Sequence, residues 1–198
     1  MNKEKLIRSL KKEKFSEKII TAFEKVQRED FVPKEFKQRS YLNEPLPIGL
    51  GQTISQPYTI AFMLTLLGLK DNIKILEVGS GSGYVLALIN EISKNSEIYG
   101  IEIVRQLADK SKNVLEKNRN ISITFGNGIK GLKEKAPFDR ILVSASYKDI
   151  PQKLVNQLNY GGILVCVVND SIVVVEKHYG ENKIREYPGF VFVELVED

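Results

Sequence analysis

Ile75-Leu76-Glu77-Val78-Gly79-Ser80-Gly81-Ser82-Gly83-Tyr84 is the stretch that decides the fold. Residues 73–78 form a short apolar run of the kind that a buried parallel strand shows. Glycines then fall at 79, 81 and 83, where they permit a tight turn and let a ligand approach the backbone and a helix N-terminus. Val85, Leu88, Ile89 and Ile92 follow at helical spacing. A strand, a glycine turn and a helix in that order form the opening of a nucleoside-binding site.

Downstream the alternation continues. Residues 98–103 read as a second strand, and Val104, Leu107, Ala108, Ser111 and Leu115 mark the next helix face. Residues 121–125 and 138–145 give two more strands. Pro151 opens a short helix expected to run through Leu158, and Gly161-Gly162 introduces a strand at 163–168. This rhythm predicts an α/β fold: a mostly parallel sheet with helices on both faces. Residues 171–177 and 190–195 are strand-like, with turn-like 179–182 between them, and are expected to add antiparallel strands at the C-terminal edge. Upstream, Leu6, Ile7, Leu10, Ile19, Ile20, Phe23 and Val26 recur on helical faces as far as about Phe31. Residues 41–57 carry three prolines and two glycines, too much punctuation for a helix or a central strand, and read as a functional loop.

Bulk properties narrow the class. The 198 residues suffice for one self-contained core, and 42% hydrophobic with 27% charged residues is ordinary for a globular protein. A single domain over 1–198 is expected, with 1–57 as a helical and substrate-loop extension. No apolar run approaches the roughly 20 residues that span a bilayer, and Met1-Asn2-Lys3-Glu4-Lys5 leads into a charged helix rather than a signal-peptide core. The single cysteine, Cys166, rules out an internal disulfide and suits a reducing cytoplasm. The net charge of +4 is mild, and lysines and glutamates are interleaved, so charge points to no nucleic-acid partner. No membrane association and no metal site are expected, and a monomer is.

The glycine loop narrows the ligand. Tyr84 stands where a dinucleotide fingerprint has its third glycine, and no P-loop lysine follows. Glu102 ends the next strand, 19 positions after Gly83, where a carboxylate can accept from both ribose hydroxyls. Glu77 two places before the loop, with Gly79, Ser80, Gly81 and Gly83, resembles the first motif of class I S-adenosylmethionine-dependent methyltransferases. That resemblance implies S-adenosylmethionine as cofactor and S-adenosylhomocysteine as product, with Ile103 beside Glu102. Asn127-Gly128 follows the third strand where this class usually has Asp-Gly. The Asn127 amide oxygen can accept from the adenine amino group without charge assistance, and a turn built on Asn-Gly is the alternative.

The loop Gly51-Gln52-Thr53-Ile54-Ser55-Gln56-Pro57, with Arg28-Glu29-Asp30-Phe31-Val32-Pro33 upstream, closely resembles the protein-L-isoaspartate O-methyltransferases. The likeness continues through Ala136-Pro137-Phe138-Asp139, Ile150-Pro151, Gln157-Leu158 and Gly161-Gly162 to Phe192-Val193, nearly the whole chain. It implies methylation of the carboxylate of L-isoaspartyl residues in damaged proteins and peptides. It also implies Ser55 as the catalytic serine, with Thr53, Ile54, Gln56 and Val193 at the substrate. That chemistry suits the residues: the acceptor carboxylate is already ionised at neutral pH, so transfer needs placement and no general base. His178, the only histidine, lies outside every motif, and Cys166 sits in an apolar strand as packing.

Departures bear on the substrate. Val168-Asn169-Asp170 replaces Pro-Val-Gly, Ser144-Ala145-Ser146 replaces Thr-Ala-Ala, and Glu194 stands where proline is usual. A Glu194 carboxylate turned into a peptide groove would repel an acidic substrate by about 1 kcal/mol or more. The chain stops at Asp198, which is expected to leave little of the tail that reaches the cofactor in some members. Two alternatives stay open: a methyltransferase of RNA or a small molecule on the same scaffold, and a non-catalytic binder of cofactor or peptide. No Asn-Pro-Pro-Tyr-type motif or RNA-binding extension supports the former.

Overall fold

The computed structural model describes residues 2–192. Two capped amphipathic helices come first. In α1 (Lys3–Lys12) the Asn2 side chain accepts from the Lys5 amide, and in α2 (Glu17–Lys25) Ser16 accepts from Ile19. Their apolar faces, Leu6, Ile7 and Leu10, then Ile19, Ile20 and Phe23, are buried in one core. Two 3-10 segments follow, Arg28–Phe31 and Lys34–Arg39. The punctuated loop contains a small antiparallel hairpin, β1 (Leu46–Gly49) and β2 (Gln52–Ile54), with Leu46 opposite Ile54. It stands apart from the main sheet, so its prolines cost no ladder bonds there. Pro57 then opens α3 (Pro57–Leu67), which Gly68 ends in the left-handed conformation.

The remaining chain alternates as its pattern predicts. In order come β3 (Lys74–Val78), α4 (Tyr84–Ile92), β4 (Glu97–Glu102), α5 (Arg105–Val114), β5 (Ile121–Phe125), β6 (Phe138–Tyr147), α6 (Gln152–Val155), β7 (Leu158–Val168), β8 (Ser171–Glu176) and β9 (Lys183–Pro188). These strands form a seven-stranded sheet of order β5-β4-β3-β6-β7-β8-β9. The first five are parallel, and β8 and β9 add to one edge antiparallel. Side-chain alternation splits the core in two. Ile75, Leu142, Val165 and Ile172 meet α1 to α5, while Leu76, Ile141, Leu164 and Cys166 meet α6 and the turns around Leu132. The second face therefore carries one short helix rather than a full layer.

Two boundaries differ from expectation. The helix after Pro151 stops at Val155, and β7 already begins at Leu158. Gly161-Gly162 lies inside that strand, within an irregularity that sets Arg140 opposite Ile163. The last described strand is Lys183–Pro188, whereas a strand at 190–195 was expected; residues 190–192 are not a strand, and 193 onward lies outside the described residues. The β9 side chains are mostly exposed, so no apolar alternation marks it, and backbone pairing with β8 defines it instead. Gly189, at φ +93°, turns the chain after it, and the Gly189 and Phe190 amides both donate to the Asp170 carbonyl, at 2.9 and 2.8 Å.

At the sheet end where β3 and β6 begin, Asp139 joins neighbouring strands. Its carboxylate accepts from the Lys74 amide at 2.8 Å and from the Asn159 side chain at 2.9 Å. Asp139→Ala is expected to lower stability by about 1.5–3 kcal/mol, the range for bonds to a charged group. Urea unfolding measures this, and affinity for S-adenosylhomocysteine should stay within twofold because the ligand cleft lies at the opposite end of these strands.

Candidate active site

The chain leaves β3 for β4 and β5 on one side and returns to β6 on the other, so β3 lies at the switch point of the sheet. Ligands of open α/β sheets bind outside the carboxyl ends of the strands there. Glu77 and Glu102 occupy those ends, both buried at 1% and 4% exposure. The Glu102 carboxylate accepts from the Gly81 amide at 2.7 Å and from the Val104 amide at 2.8 Å. It therefore fixes the glycine loop and the entry to α5 before any ligand arrives, and its remaining lone pairs stay available. Gly83, at φ +85°, starts α4, where a Cβ would sit 2.8 Å from Leu115 Cδ1. That position requires glycine.

Glu77 is placed differently. One oxygen accepts from the Ser144 hydroxyl at 2.8 Å, and the other is buried without a hydrogen-bond partner among the described residues. Ser144 reaches it because Leu142 lies opposite Glu77 in the β3–β6 ladder and Ser144, two residues on, projects from the same face. Burial raises the Glu77 carboxyl from its ordinary 4.5 to about 8; the Ser144 bond opposes this, and the Glu102 charge adds to it.

The β1–β2 hairpin forms the opposite wall. A cleft of about 530 Å³ lies between it, the glycine loop and residues 189–192, within the usual size for small-ligand sites. Thr53, Ser55, Gly79, Gly81 and Ser144 border both this cleft and a deeper recess next to it. Gln56, Glu102 and Ile103 line the wider part, and Ile54, Glu77 and Ser80 line the recess. Among the described residues the Thr53 and Ser55 hydroxyls have no protein hydrogen-bond partner, and the Ser55 carbonyl accepts from Arg28 at 3.0 Å. Of the other sequence-derived candidates, Gly83 is a packing residue beside the loop. Asn127 follows β5 and caps the 3-10 turn Gly128–Lys130, accepting through its amide oxygen from the Ile129 amide at 2.9 Å. Gly128 packs against Val78, where a Cβ would meet Cγ1 at 2.3 Å. Val193 and Glu194 lie outside the described residues.

Ser144 and Phe192 also line the recess and were not among the candidates. The position of Ser144 at the carboxyl end of the strand predicted over 138–145 was the available signal. Phe192 had none beyond the family-like Phe-Val pair. Phe190, stacked on Phe62 with ring centroids 5.4 Å apart, holds the Phe192 segment across the cleft mouth.

The model of the family "Protein-L-isoaspartate(D-aspartate) O-methyltransferase" matches residues 1–198. The chain belongs to this family. A protein-L-isoaspartate O-methyltransferase of Methanothrix thermoacetophila is 40% identical over 203 aligned positions, covering 99% of this chain and 95% of that one. Its Pyrococcus abyssi counterpart is 38% identical, covering 99% and 91%. A solved protein-L-isoaspartate O-methyltransferase superposes with a TM-score of 0.91 at 25% identity, over 99% of this chain and 66% of that longer one. The same fold recurs in a Plasmodium falciparum chain crystallised with S-adenosyl-L-homocysteine, at TM-score 0.86 and 24% identity over the full length of both.

The cleft of this methyltransferase fits the family's cofactor on its own residues. The unpartnered Glu77 oxygen suits a cationic ligand, and Glu77, Gly79 and Gly81 border the same recess. The raised Glu77 value fixes a sign for pH. In the unfolded chain the carboxyl ionises near 4.5 and in the fold near 8. Its contribution to stability is therefore intact below about 4.5 and is lost as pH rises toward 8. Ligand-free Glu77→Gln, which has no charge to bury, should gain thermal stability over wild type as pH goes from 5 to 8.5. A pH-independent difference in melting temperature between the two would refute this.

Proposed function

We propose that this cleft methylates the free carboxylate of L-isoaspartyl residues, with Ser55 as the residue that orients it. The observation that carries the assignment of roles is that the Ser55 and Glu77 side chains border one recess from opposite walls. Bound S-adenosylmethionine supplies an electrophilic methyl group on a sulfonium. Glu77, Gly79, Ser80 and Gly81 would hold its cationic end, and Glu102 with Ile103 its ribose side. Asn127 and Gly128 are proposed at the adenine end. Both follow β5, the neighbour of the strand that ends in Glu102.

The protein supplies orientation. The acceptor carboxylate is ionised at neutral pH and needs no proton removed. Thr53 and Ser55 donate hydroxyl hydrogen bonds that fix its direction, and Ile54 and Phe192 give the recess apolar walls. Gln56 and Val193 are proposed along the flanking peptide. In-line placement within about 3–3.5 Å is the main demand of such a transfer, and alignment alone can supply several kcal/mol of the barrier reduction.

The proposal extends to one domain over 1–198 in which 1–57 contributes the substrate wall, acting as a monomer in the cytoplasm. The single cysteine is buried and unpaired, as a reducing compartment allows. Among the described residues no helix is long and apolar enough to cross a membrane. Flexible protein segments bearing isoaspartate are the proposed partners, and nucleic acid is not.

Ser55→Ala is expected to lower turnover on an isoaspartyl peptide by on the order of a hundredfold, the cost of misplacing a reacting atom by about 1 Å. Cofactor affinity should stay within twofold. A matching fall in cofactor affinity assigns Ser55 to the wrong ligand, and equal methylation of aspartyl and isoaspartyl peptides by wild type rejects the repair reading. Glu102→Gln, which keeps one acceptor oxygen, should weaken S-adenosylhomocysteine binding by about 1.5–3 kcal/mol. Calorimetry showing unchanged affinity would remove Glu102 from the ligand site.

A further inference from the structure

Arg28 lies in the first 3-10 segment with no exposed surface, and no salt bridge pairs it among the described residues. Its guanidinium instead donates to four backbone carbonyls. Nη1 reaches Ser40 at 2.7 Å and Leu42 at 3.3 Å; Nη2 reaches Glu44 at 3.2 Å and Ser55 at 3.0 Å. The first three precede the β1–β2 hairpin and the fourth follows it, so one planar fork fixes both ends of the substrate wall. The same guanidinium carbon lies 6.0 Å from the ring centroid of Tyr84. That buried residue starts α4 directly after the glycine loop and lines the recess. Only a planar group with several donors in fixed directions can span these carbonyls; a lysine offers three donors at one point.

We propose that Arg28 is a positioning residue for methyl transfer: it sets the place of Ser55 relative to the glycine loop through the Ser55 carbonyl, without itself touching substrate or cofactor. Burial lowers its pKa to about 10, so it stays charged at neutral pH and the four contacts persist there. The inference rests on the isoaspartyl reading of the Ser55 site.

The test is a double-mutant cycle on an isoaspartyl peptide, with Arg28→Lys, Ser55→Ala and the combination, assayed where circular dichroism shows each folded. Arg28→Lys should lower kcat by about 10–100-fold, with peptide KM and cofactor affinity each within about twofold. Because Arg28 acts through Ser55, the double variant should be no slower than Ser55→Ala alone. Arg39→Ala, which removes the exposed Arg39–Glu44 ion pair of the same loop, gauges plain loosening and should leave kcat unchanged. Additive losses in the cycle, a kcat kept within twofold in Arg28→Lys, or an equal loss in Arg39→Ala would each overturn the proposal. Arg28→Gln runs in the same cycle. Failure of both Arg28 variants to fold at a temperature where Asp139→Ala folds makes the residue purely structural and also overturns it. A wild type inactive on isoaspartyl peptide would instead reject the functional reading, an outcome distinct from all of these.

Discussion

Two buried carboxylates on one face of adjacent strands, with no cation among their described partners, are the constraint around which the site is arranged. Glu77 and Glu102 end β3 and β4, and both are removed from water. The fold offsets the cost unequally. Glu102 receives two backbone amides, whereas Glu77 receives one serine hydroxyl and keeps one oxygen unpartnered. Isolated buried charge is expensive, and neutralisation is the usual response. The rise of Glu77 to about 8 is that response. A cationic ligand next to the free oxygen would relieve the same cost, so the site is tuned for positive charge before any ligand is present. The glycine loop lies between these carboxylates because the Gly81 amide must turn back to Glu102.

Facing it is a wall held by different chemistry. The hairpin that carries Thr53 has only a few strand residues and does not belong to the main sheet, so sheet bonding cannot fix its distance from the glycine loop. A cation buried among carbonyl oxygens does so at Arg28, and an aromatic series supports the far side: Tyr58 on Phe62, and Phe62 on Phe190. The cleft thus has one rigid wall made by the parallel sheet and one made by side chains that reach into loops. Loops positioned by a rigid scaffold are a common place for binding groups.

Several family-like motifs have no place in the cleft. Asp139 ties β6 to the start of β3 and to Asn159 in β7. Gln157 accepts from the Leu132 amide and donates to the Lys130 and Lys153 carbonyls, which secures the turns after β5. These polar residues are half-buried or buried and hydrogen-bonded, as partly enclosed polar groups must be. The family-like motifs around Asp139 and Gln157 therefore serve architecture, while those at residues 52–56 and in the glycine loop border the cleft.

The sequence by itself determined the α/β class, the parallel strands and the glycine loop, and it named several residues that border the cleft, Thr53, Ser55, Glu77 and Glu102 among them, though not Ser144 or Phe192. It could do so because apolar periodicity and positive-φ glycines are local properties that a linear pattern records. The edge strand Lys183–Pro188 escaped it because both its faces are largely solvated and leave no apolar signal. The early start of β7 escaped because Gly161-Gly162 reads as a turn while the pairing passes through it. What only the tertiary structure decided is which polar atom meets which: Ser144 on Glu77, Ile129 on Asn127, and Arg28 on Ser55, 27 residues away. Hydrogen-bond partners of buried groups are set by where the strands and loops finally pack, and no spacing along the chain encodes that.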